Sequence, residues 1–98
     1  MSHPIVIRRA AQVEYLEAIR WHDEQEAGIG LEFESEVVRI LKVISAIPKR
    51  YPVVFRDTRE AIVGRFPYCI YYRLRAGRII VLSVFHTSRD PIIWQDRI

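Results

Sequence analysis

Cys69-Ile70-Tyr71-Tyr72-Arg73-Leu74-Arg75, then Ala76-Gly77, then Arg78-Ile79-Ile80-Val81-Leu82-Ser83-Val84-Phe85-His86 is the stretch on which the fold turns. Both long runs are rich in β-branched and aromatic residues, which suit a pleated, half-buried surface. The pair between them ends in glycine, which takes the positive φ of a tight hairpin turn at no steric cost. Side chains alternate along a strand, so Ile70, Tyr72 and Leu74 share one face and Cys69, Tyr71, Arg73 and Arg75 the other. In the second run Ile80, Leu82 and Val84 alternate with Ile79, Val81, Ser83 and Phe85. One face of this sheet is expected to meet the core, and the other to carry arginine and tyrosine.

Upstream, Tyr51–Arg56 and Glu60–Phe66 read as two shorter strands, and before them the apolar period lengthens from two to that of a helix. From about Ala10 to Ala27, Ala10, Val13, Leu16 and Ile19 recur at three-residue steps, with Tyr15, Ala18 and His22 widening the stripe. Gly28-Ile29-Gly30 breaks that run, glycine being the usual residue just past a helix. A second helix is expected from Ile29 or Leu31 to Ala46, with Phe33, Val37, Ile40, Leu41, Ile44 and Ile47 as its apolar face. Glu32, Glu34 and Glu36 crowd its first turns and Arg39 and Lys42 come later, the order the helix dipole favours. Pro48 stops it. So short a connector predicts an antiparallel helical hairpin. Ile5-Val6-Ile7 is a short N-terminal strand, and the chain finishes in a short tail around Trp94. The expected class is α+β: N-terminal strand, helical hairpin, then a three- to four-stranded antiparallel sheet packed on the hairpin.

The 98 residues suffice for one domain, 1–98, with a single modest core. Half are hydrophobic and 28% charged, which excludes a disordered tail, and no apolar run approaches the length of a membrane span. Only a three-residue apolar run precedes Arg8-Arg9, unlike a secretory signal, so a cytoplasmic location is expected. The single cysteine, Cys69, excludes an internal disulfide and a cysteine-based zinc cluster, and reads as a small buried hydrophobe. His22-Asp23-Glu24 with Glu26 offers metal-ligand types at a polar helix end, where a solvated face is the simpler reading; no metal and no cofactor are expected. Charge is uneven. Residues 1–47 carry five basic and eight acidic side chains, residues 48–98 ten and four, and nine of those ten are arginine. An arginine-rich half suits an anion such as RNA, DNA or an acidic protein segment, or is simply a solvated basic surface.

Three segments in this order resemble the RelE/ParE superfamily of bacterial toxins. They are Glu17-Ala18-Ile19-Arg20-Trp21 running through Gly28-Ile29-Gly30-Leu31-Glu32-Phe33, Ile47-Pro48-Lys49-Arg50-Tyr51-Pro52, and Arg65-Phe66-Pro67-Tyr68-Cys69-Ile70-Tyr71-Tyr72-Arg73 with Val84-Phe85-His86 and Arg89-Asp90-Pro91. The resemblance implies the toxin half of a type II toxin–antitoxin system, of the kind associated with plasmid stabilisation and growth arrest. It further implies a cognate antitoxin that lays a helix near the hairpin and adds a strand at the sheet edge. Leu16, Ile19, Phe33, Val37 and Leu41 are the candidate antitoxin-binding residues, with burial in the core as the competing role for each.

The superfamily divides in activity, so the fold leaves the target open. Its ribosome-dependent endoribonuclease branch needs a base, an acid and cations on the developing phosphorane. Here Arg59, Arg65 and Arg73 would clamp phosphate, His86 would carry the proton, and Arg89 would be a second clamp. No tyrosine follows Tyr72, and the chain has two lysines, Lys42 and Lys49, where nuclease members are richer in both. The tyrosine-rich strand and the His86-x-x-Arg89-Asp90-Pro91 ending resemble the ParE-like branch more closely, which inhibits DNA gyrase without catalytic residues of its own. Gly64 and Ser88 stand where relatives often carry arginine. A non-toxic interaction module that keeps this fold is the third reading. Arg65 is equally suited to anchoring Glu60 or Asp90; Trp21 and Trp94 offer faces on which a base can stack, with core packing as their expected role.

Overall fold

The computed structural model describes residues 2–98. Its centre is the hairpin of β4 (Tyr68–Arg75) and β5 (Arg78–His86). Ala76 and Gly77 take φ of +51° and +75°, positive values at both turn positions, whose twist matches the flanking strands. β3 (Thr58–Ile62) pairs antiparallel with β4, and β2 (Val53–Phe55) with β3. β1 (Ile5–Ile7) joins the far side, parallel to β5, with Ile5 opposite Ile79. The sheet is thus five-stranded, in the order β1-β5-β4-β3-β2. The class is the expected α+β, with the N-terminal strand incorporated into the sheet.

One irregularity changes the face assignment. Tyr72 lies opposite Val81 but Tyr71 lies opposite Ser83, so Leu82 is an extra residue on β5. Such a bulge reverses the alternation beyond it. Ile79, Val81 and Val84 therefore face the helices, a set that splits both alternating groups expected for β5.

The helices are α1 (Arg9–Gln25) and α2 (Ile29–Ala46). On α2 the buried residues Gly30, Phe33, Val37, Ile40 and Ile44 follow the helical period. On α1 the buried residues are Ala11, Ala18 and His22, with Tyr15 and Ile19 partly buried. Val13 and Leu16, which the three-residue steps assign to the stripe, are 43% and 54% exposed. Small residues on the inner face let α1 lie close to its neighbours, and this turns Val13 and Leu16 outward. The hairpin is tight at its corner. A Cβ on Gly30 would stand 2.6 Å from the Ile19 carbonyl oxygen, and Gly28 takes φ +93°. Asp23 caps α2, its Oδ1 accepting the Gly30 N–H at 2.8 Å.

The principal core lies between helices and sheet, around Phe33, Ile44, Ile70, Tyr72, Ile79 and Val81. Tyr72 donates its hydroxyl to the Pro48 carbonyl at 2.7 Å, tying β4 to the loop after α2. On the outer sheet face a second cluster joins Cys69, Tyr71, Phe85 and Phe55 to the C-terminal tail. The short helix α3 (Ile92–Gln95) folds back there, and Trp94 stacks on Tyr71 with ring centroids 3.9 Å apart. The outer face is therefore partly covered. Among the described residues no helix is long and apolar enough to cross a membrane.

Candidate functional site

Beyond Val81 the chain has left β1 for α1, so β5 has no strand beside it there. Backbone polar groups at such an edge need other partners. The Arg8 amide donates to the Val81 carbonyl at 3.1 Å. Glu14 Oε1 accepts from the Ser83 hydroxyl at 2.7 Å and from the Val84 amide at 3.2 Å. Arg97 donates to the Leu82 carbonyl at 3.0 Å and to both Glu14 oxygens, at 2.9 and 3.0 Å. Arg89 reaches the same carboxylate at 3.3 Å. Glu14 thereby fastens the bulge, α1 and the C-terminal tail together.

Beside this knot lie two adjoining hollows of about 250 and 290 Å³, which share Trp21, Tyr68, His86 and Arg89. Tyr68 lies opposite His86 in the ladder, with their rings edge to face at 5.0 Å. His86 Nδ1 accepts the Ser88 amide at 3.0 Å. A backbone N–H only donates, so the neutral ring carries its proton on Nε2. The Arg89 guanidinium sits 4.9 Å from the centre of the Phe85 ring. Trp21 is 55% exposed at the rim, where core packing was the expected role; it borders an aromatic corner of Phe33, Phe66 and Tyr68 without entering it. His22 is the residue of that corner: buried, stacked on Phe33 at 4.8 Å, and donating from Nδ1 to the Ala18 carbonyl at 2.6 Å. The solvated face read into His22-Asp23-Glu24 thus excludes His22. Among the described residues no group of three His, Cys, Asp or Glu could hold a metal ion.

A larger cleft of about 550 Å³ opens on the outer sheet face and adjoins the first through Tyr68 and Arg89. Cys69, Tyr71, Phe85 and Trp94 are among its apolar lining, and Glu60 accepts the Tyr71 hydroxyl at 2.8 Å. Burial first, and the Glu60 bond second, drive the Tyr71 phenol far above its ordinary range. Burial likewise lifts Tyr72 to about 12 and pushes the Cys69 thiol upward. These groups stay protonated at neutral pH, so none is a nucleophile or base there.

Of the residues the nuclease reading needs, His86 and Arg89 come together and the others do not. Arg59 donates to the carbonyls of Tyr51 at 2.6 Å and Lys49 at 3.3 Å. Arg65 pairs with Glu32 on α2, in place of Glu60 or Asp90. Arg73 pairs with Asp57 at 2.8 Å. Arg73 and Tyr68 are five residues apart on β4, which separates Arg73 from the His86 rung by about 16 Å. Of the hairpin residues, Phe33 and Val37 are buried, Ile19 and Leu41 partly buried, and Leu16 exposed. Tyr68, Glu14 and Ser88 belong to the site but were not among its candidate residues; Tyr68 and Ser88 entered only through the family resemblance, and Glu14 carries no sequence signal of its own.

No family model and no curated protein matches the chain. A chain of the solved chromosomal ParDE TA system from P. aeruginosa superposes with a TM-score of 0.76 at 13% identity, over 87% of this chain and 96% of that one. At that identity the likeness is one of fold. The shared fold agrees with the α+β architecture expected from the sequence.

Proposed function

We propose that this chain is the toxin of a type II toxin–antitoxin pair, that it arrests growth by binding DNA gyrase, and that a cognate antitoxin neutralises it. The fold likeness to a ParDE chain supports the toxin reading. The observation that favours binding over cleavage is the state of the candidate catalytic set. Arg65, Arg73 and Arg89 are each in an ion pair, Arg59 is spent on backbone carbonyls, and the His86 nitrogen that a base would use holds the Ser88 amide. Phosphoryl transfer needs cations converging on one phosphorane and a free base beside them. Such a dispersed, neutralised set suits a protein that works by occupying its target.

The antitoxin surface follows from the helical hairpin. Val13 and Leu16, with Glu17 and Arg20, line a shallow hollow on the outer side of α1. An amphipathic helix with apolar residues at helical spacing fits such a strip. The outermost strands, β1 and β2, are only three residues long, and along the open stretch of β5 Glu14 and Arg97 occupy the Val84 amide and the Leu82 carbonyl, which leaves the helix contact to dominate.

Tyr68, His86 and Arg89 do form a partial acid–base group, and induction in bacteria discriminates between the readings. The native chain, expressed without an antitoxin, is expected to arrest growth, and His86→Ala to arrest it equally. Arrest lost in a folded His86→Ala variant would install the ribosome-dependent nuclease. Undiminished growth with soluble native protein would leave a non-toxic interaction module.

A further inference from the structure

At the end of the sheet remote from His86, two hairpin tips lie side by side. β2 and β3 are joined by Arg56-Asp57, β4 and β5 by Ala76-Gly77. Arg59 lies opposite Tyr72, Tyr72 opposite Val81, and Arg75 opposite Arg78, which places both turns at the same end. The tips carry Arg56, Arg73, Arg75 and Arg78, and among the described residues the one carboxylate paired with any of them is that of Asp57. Asp57 Oδ1 accepts Arg73 Nε at 2.8 Å and its Oδ2 accepts Arg75 Nε at 2.9 Å. Among the described residues, no other carboxylate forms an ion pair with these four arginines. Arg56, Arg75 and Arg78 are exposed. Four arginines and one aspartate make this small end of the molecule as positive as the whole chain, whose net charge is +3.

The geometry of the turn does not require that arrangement. The β4–β5 turn needs positive φ at Ala76 and Gly77, and neutral residues at 75 and 78 would serve it as well. Like charges directly opposite on a ladder destabilise it, and Arg75 faces Arg78. Arg73 and Arg75 divide one carboxylate between them. An external anion would relieve this repulsion, and the guanidinium fork matches phosphate oxygens. A two-stranded β-ribbon also has the width of the B-DNA major groove, whereas the deep, narrow major groove of A-form RNA excludes it. We infer that the twin hairpin tips are a binding surface for the backbone of duplex DNA, with Arg56, Arg75 and Arg78 as phosphate contacts. This inference stands apart from the toxin reading, because binding to DNA is measured without gyrase, ribosome or antitoxin.

The test is the full chain titrated against a labelled random-sequence duplex over a salt series. Neutralising three phosphates gives a fall in log affinity against log salt with a slope of about −2.7. Arg75→Gln/Arg78→Gln is expected to lower that slope by about 2 and to weaken binding at least about ten-fold at low salt. A charge-matched control, Arg9→Gln/Arg39→Gln, is expected to bind like the native chain, and thermal unfolding of each variant verifies its fold. Native protein that fails to retain duplex DNA at low salt overturns the inference. So does a folded Arg75→Gln/Arg78→Gln variant with the native slope, or equal binding to duplex RNA.

Discussion

Glu14 shows how much of this molecule depends on single side chains where the regular ladder stops. Its carboxylate takes a backbone amide and a hydroxyl from the β5 bulge and two guanidinium groups from the C-terminal region. The side chain is only 11% exposed, so these bonds are made in a poorly solvated place where leaving a partner unpaired is costly. Glu14→Ala is expected to destabilise the chain by about 2–3 kcal/mol, since Arg97 loses its carboxylate, keeping only the Leu82 carbonyl, and the Val84 amide loses its acceptor. In a domain of this size that lowers Tm by on the order of 10–20 °C. Glu14→Gln, which keeps an acceptor for Ser83 and Val84, should lose less. A calorimetric scan in which Glu14→Ala melts with the native chain would contradict this account of the knot. None of it was legible in the sequence. Glu14 is one of eight acidic residues in the first 47, and its role exists only because Leu82 bulges.

Among the elements, the hairpin of β4 and β5 was the most legible, since two runs of β-formers around Ala76-Gly77 admit few alternatives. Its register was not. Counting back from the turn pairs Tyr68 with Phe85; the bulge moves the partner to His86 and so creates the Tyr68–His86 rung of the cleft. Nothing in Val81-Leu82-Ser83 announces an inserted residue, because all three suit a strand. The same limit applies to α1. Periodicity finds the helix but cannot choose between two neighbouring apolar stripes, and the one with Ala11 and Ala18 packs closer. The rejected stripe leaves Val13 and Leu16 on the surface, an apolar patch on a helix without a partner. Leu16→Lys is expected to keep the native Tm and to weaken antitoxin capture by about ten-fold or more, as loss of a central apolar anchor does. Capture at native strength by the folded variant, measured by titration calorimetry, would remove Val13 and Leu16 from the interface.

For the whole molecule, the division of charge along the sequence becomes a division in space. Seven of the ten basic side chains in the second half divide between two uses. Arg65, Arg89 and Arg97 are drawn into pairs with Glu32 and Glu14 from the acidic first half, and Arg56, Arg73, Arg75 and Arg78 collect at the hairpin tips. An arginine-rich half, suited to an anion or simply solvated, was legible in the sequence; that the Arg89 beside the one histidine of the site would be neutralised was not. That neutralisation underlies the proposal that the protein acts by contact. The most direct test is a gyrase supercoiling assay with the purified chain, run beside translation-dependent cleavage of message on the same preparation. The account predicts lost supercoiling and intact message. Cut message with normal supercoiling would contradict it and return His86, Arg65 and Arg89 to the centre of the mechanism.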